Sequence, residues 1–149
     1  MASHTQVDDY PTPTRRRGLL YQFTPKHHGA DLNQCTWLED VSDDEEFSIF
    51  DDADEFEIDD DDGNLYGVFR LPEEELRDIG YFSEQVSEFP VHEPTERWHG
   101  YPVWAIDQSG PQNRRNQKCR PAKMVFDKLR DKGLINNRQR KRLLKGKHA

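Results

Sequence analysis

The sequence of 149 residues suits one domain, and 31 of them are Leu, Ile, Val or Phe, just above the roughly 20% below which a highly charged chain stays disordered. A mean hydropathy of −1.07, no apolar window near the ~18 residues of a membrane helix, no G-X-Y or heptad period and two cysteines exclude an integral membrane protein, a collagen, a coiled coil and a disulfide scaffold. The net charge of −8 hides a split: residues 1–104 hold seven Lys+Arg against 26 acids, and residues 105–149 hold 14 against three, a layout that points to charged interaction surfaces.

Residues 1–18 are polar, carry Pro11 and Pro13, and read as a loose N-terminal arm. No basic segment followed by an apolar one opens the chain, and the free-thiol reading of Cys35 and Cys119 agrees with a cytoplasmic location. Arg15, Arg16 and Arg17 suit a phosphate or carboxylate contact, or a solvated turn. Residues 19–106 are expected to form an acidic α+β core, a small, mostly antiparallel sheet with one helix. Leu19 to Phe23 and Thr36 to Leu38 are short strand candidates. Glu39 to Asp62 holds 15 acids in 24 residues, broken by Phe47, Ile49, Phe50, Phe56 and Ile58, which predicts amphipathic pieces with one apolar edge.

Glu55 to Ile58 alternates with period two, Asp59 to Asn64 supplies turn residues, and Leu65 to Leu71 reads as the return strand. Pro72 followed by Glu73, Glu74 and Glu75 predicts a helix, with Leu76 and Ile79 on its buried face and Gly80 as its cap. Phe82, Val86 and Phe89 continue the apolar spacing. Trp98 to Ile106 predicts the last core strand, and residues 107–118 a linker.

Residues 119–149 predict a basic helical hairpin. Ala122, Val125, Phe126 and Leu129 fall at i, i+3, i+4 and i+7, Gly133 suits a left-handed cap, and Asn136 or Asn137 caps a second helix. If the hairpin packs on the sheet, Phe126 and Leu129 are buried; as a separate arm it exposes them and invites a homodimer. Its Gly-Leu-Ile turn and trailing Leu-Leu resemble short C-terminal oligomerisation modules, which implies the same association.

The Asp60-x-Asp62-Gly63-Asn64 run fails as a calcium loop, because Ile58 and Phe69 fall where the end ligands belong. His27, His28, Cys35, His92, His99 and Cys119 lack the paired spacing of a zinc site, so neither metal nor cofactor is expected. His99, Glu96, Arg97 and Tyr101 offer a base, an acid and a cation, the types a metal-independent ribonuclease needs. The stronger signal is cationic. Arg114, Arg115, Lys118, Arg120, Arg138, Arg140, Lys141, Arg142 and Lys145 predict contact with an RNA or DNA backbone, partly as a helical stripe. The expected function is therefore a small non-enzymatic nucleic-acid-binding protein. The alternative is an acidic inhibitor or immunity-type factor whose Asp51, Asp52, Asp54 and Glu55 meet a basic protein such as a nuclease toxin.

Overall fold

The computed structural model describes residues 9–23, 36–91, 96–104 and 120–149. Cys35, Cys119 and the predicted linker lie outside these residues.

Ser42 begins the first helix, α1, over Asp43–Glu55. Its hydroxyl accepts the Glu45 N–H at 3.1 Å while its own N–H donates to the Glu45 carboxylate at 2.9 Å, so two otherwise orphaned donors are satisfied at once. Four acids in the first turn sit at the positive end of the helix dipole. The core helix thus lies in the acidic run, and the strand predicted for 55–58 is corrected. The helix continues through Glu55, and the chain rejoins the sheet only where Asp59 bridges Leu65.

The sheet is antiparallel in the order β1 (Leu65–Gly67), β2 (Val86–Phe89), β3 (Tyr101–Val103). Strand alternation sends its side chains to two cores. Leu65 and Phe89 join Tyr21, Trp37, Phe47, Ile49 and Phe50 on the α1 side. Tyr66, Val68, Val86 and Val103 join Val125, Phe126, Leu129, Ile135 and Leu143 on the other. The latter belong to α2 (Lys123–Asp131), α3 (Asn137–Leu144) and the turn between them, where Gly133 adopts a φ of 78°. The sheet is therefore covered on both faces, and Phe126 and Leu129 are fully buried within the chain.

Helix formation fails at Pro72. Arg70 bridges Leu76, the Leu71 N–H donates to the Glu75 carbonyl at 2.7 Å and the Arg77 N–H to the Phe69 carbonyl at 2.9 Å. This pairing takes the backbone groups a helix needs and leaves a tight turn, Pro72–Glu74, with Glu73 and Glu74 at φ 63° and 62°. Left-handed backbone costs a non-glycine residue about 1–2 kcal/mol. The predicted Phe82–Phe89 continuation is also revised: Ser83 turns the chain at φ 65° and β2 follows.

The loose-arm expectation is corrected for residues 9–18. Asp9 bridges Gln22, Tyr21 bridges Trp98 in parallel, and Thr14 is buried. Leu19 to Phe23 contributes these bridges rather than a full strand.

Close packing of α1 on the sheet rests on Gly67. A Cβ there would lie 2.6 Å from Ile49 Cγ2 and 2.8 Å from the Ile49 carbonyl oxygen. Gly67→Ala is expected to lower stability by about 1–3 kcal/mol, read from the urea midpoint; an unchanged midpoint would contradict this contact.

Candidate nucleic-acid interface

Helix α3 starts with a second capping box: Asn136 accepts the Gln139 N–H, and Gln139 accepts the Asn136 N–H, both at 2.8 Å. The Gln139 amide also donates to the Glu74 carbonyl, tying α3 to the strained turn. Arg140 completes the anchoring. Its Nε lies 2.6 Å from Asp127 on α2, which Lys123 meets from the other side at 3.1 Å. The Arg140 hydrogen bond, aided by Lys123, holds the Asp127 carboxyl below its usual range.

With α3 so fixed, Arg138, Lys141 and Lys145 fall at i, i+3 and i+7 along one exposed side. At 1.5 Å per residue they span about 10 Å, and none has an ion pair among the described residues. The other predicted cations differ. Arg140 is a clamp, and Arg142 donates from Nε to the His148 carbonyl at 2.5 Å. Arg120 lies 4.8 Å over the Trp104 ring and donates to the Leu144 carbonyl at 2.8 Å. Arg114, Arg115 and Lys118 lie outside the described residues. Beside the stripe, a groove of about 570 Å³ has Arg138, Arg142 and His148 together with Glu73, Glu74 and Glu75 in its lining.

The acids assigned to a basic partner are met from within. Arg15 Nε lies 2.6 Å from Asp51, and its Nη2 2.9 Å from Asp52. Asp54, fully buried, accepts from the Thr14 hydroxyl at 2.8 Å, the Arg17 N–H at 3.0 Å and Arg17 Nε at 2.5 Å. Arg16 spans Asp54 and Glu57 at 3.6 and 2.6 Å. The tri-arginine turn is thus a carboxylate clasp, and Asp51, Asp52 and Asp54 each have an arginine partner within the chain. Glu55 is half-buried beside them.

Two members of the proposed catalytic group have partners outside it. Arg97 pairs with Asp9 at 3.4 Å, and the Tyr101 hydroxyl donates to Glu88 at 3.2 Å. Glu96 is exposed and His99 half-buried. Glu88 is the residue the sequence reading missed. It lies between Tyr66 and Tyr101 across the sheet, and burial raises its carboxyl despite hydrogen bonds from both tyrosines. Period-two alternation of Tyr101 and Val103, matched to Val86 and Glu88, is the signal that could have found it.

Asp60 accepts from the N–H groups of Asp62 and Asn64, the Asn64 amide and the Tyr66 hydroxyl. Partial burial opposes its ionisation, but these donors together hold it below the usual range. Its oxygens organise the turn, and the described residues contain no cluster of three metal-ligating side chains. No helix among them is long and apolar enough to cross a membrane. No protein-family model, curated protein or solved structure matches this chain.

Proposed function

We propose that this is a non-enzymatic nucleic-acid-binding protein that holds a phosphate backbone on α3. The observation carrying this reading is the anchored stripe of Arg138, Lys141 and Lys145, exposed and without ion pairs among the described residues. Fixed cations spaced along about 10 Å can follow successive phosphates, and each contact releases condensed counterions. The acidic-inhibitor reading has less support, because Arg15, Arg16 and Arg17 already pair with Asp51, Asp52 and Asp54, three of the four acids it would use.

The test is fluorescence polarisation with labelled RNA and DNA across a salt series. Changing Arg138, Lys141 and Lys145 together to Gln should flatten the slope of log K against log salt by roughly 0.7–0.9 per lost contact. The fold should persist, since exposed cations contribute little to stability. Arg140→Gln should instead loosen α3 from α2. A triple variant with the parent's affinity and slope overturns the reading.

A further inference from the structure

We infer that the bound strand is single, its bases stacking on the aromatic turn at Tyr81 while its phosphates follow the cations; this rests on the backbone-binding reading above. Tyr81 is 44% exposed, an unusual exposure for a large hydrophobic side chain in this fold. Phe82 supports it edge-on, with ring centroids 5.4 Å apart and planes at 78°. The turn is held in shape. The Phe82 N–H donates to the buried Glu84 carboxylate at 2.7 Å, the Tyr81 N–H to the Thr36 carbonyl at 2.9 Å, and Ser83 takes a φ of 65°.

The stem of this turn is tied to the segment that follows α3. His148 Nε2 lies 2.6 Å from Asp78. The Gln85 amide donates to the Ala149 carbonyl at 3.0 Å and accepts the Ala149 N–H at 2.8 Å. These contacts lay His148 and Ala149 along the stem of the aromatic turn, and the exposed Lys145 and Lys147 immediately precede them in the chain. A cationic track beside an exposed ring is the arrangement that takes unpaired nucleotides, because every base has a π-face and every linkage a charge. A duplex hides its base faces, so the ring adds nothing to it. A duplex also carries phosphates on two sides, and Glu73, Glu74 and Glu75 share a groove with Arg138 and Arg142, where additional phosphates meet repulsion.

The experiment uses the full chain with labelled oligo(U), oligo(dT) and a mixed-sequence duplex of equal length at one salt concentration. Single strands should bind more tightly than the duplex. Tyr81→Ala should weaken single-strand binding about tenfold or more, within the range reported for losing one stacked base, and leave the duplex affinity unchanged. Tyr81→Phe keeps the ring and should retain binding, which separates stacking from a folding defect. Either sugar showing this pattern supports the inference, and their ratio identifies the preferred strand. A duplex bound as tightly as the single strands, or full single-strand affinity in Tyr81→Ala, overturns the inference while leaving backbone binding intact. Absence of binding to every one of these ligands overturns both.

Discussion

Phe126→Ala is expected to lower stability by about 3–5 kcal/mol, the range for removing a fully buried phenylalanine. The ring is inaccessible to solvent on α2 and shares its core with Val86 and Val103 of the sheet, and with Trp104. Whole-domain stabilities are about 5–15 kcal/mol, so the urea midpoint should fall steeply. Because Trp104 lies in this core and Trp37 and Trp98 in the other, tryptophan fluorescence and the far-ultraviolet signal should move together in one transition. A loss below about 1 kcal/mol, or a sheet that melts at the parent's midpoint, would contradict packing of the C-terminal helices on the sheet.

Asp54→Ala should cost about 2–3 kcal/mol, less than the loss for breaking a fully buried ion pair. The carboxylate has no solvent exposure, whereas the Arg16 and Arg17 side chains are 38% and 43% exposed. Both guanidinium groups can rehydrate, but the buried Thr14 hydroxyl and the part-buried Arg17 N–H lose their acceptor. Asp52→Ala is the control. Its partner Arg15 is 57% exposed, so a loss under about 1 kcal/mol is expected. Thermal melts of the two variants should therefore separate clearly; equal shifts would mean that the clasp acts as diffuse surface charge.

The parts of this fold legible in the sequence are those where local chemistry and tertiary packing agree. The aromatic run at Trp98 contains β3, Leu65 begins β1, and Gly133 and Asn136 mark a turn and a helix start as their backbone preferences require. At Pro72 the two disagree. Proline and three glutamates favour a first helical turn, but Leu71 provides no capping side chain and the flanking strand segments pair instead. Helix α1 is the reverse case. Ser42 and Glu45 form the capping pattern, yet the crowded acids at the other end of the helix read as repulsive until Arg15 to Arg17 are placed beside them. Those arginines are 36 to 41 positions away, a distance no local window spans. The α3 stripe was legible as spacing, but which cations face outward was not. Arg138 and Arg140 are two positions apart, and only the placement of Asp127 makes one a clamp and leaves the other exposed.

The same clasp has a kinetic meaning. Thirteen residues are a marginal length for an isolated helix. Asp51 and Glu55 repel at i, i+4, and no basic residue lies in the last turn to balance the negative dipole end. Local nucleation therefore gives α1 little persistence, and its positive complements arrive only when long loops close, 36 to 41 residues to the arginine turn and 32 residues from Glu45 to Arg77. The order of events follows: β-turns and the C-terminal helices can form from neighbouring residues, while α1 becomes persistent only after long-range closure. When the whole chain refolds from denaturant, the acidic helix is therefore among the last elements to settle.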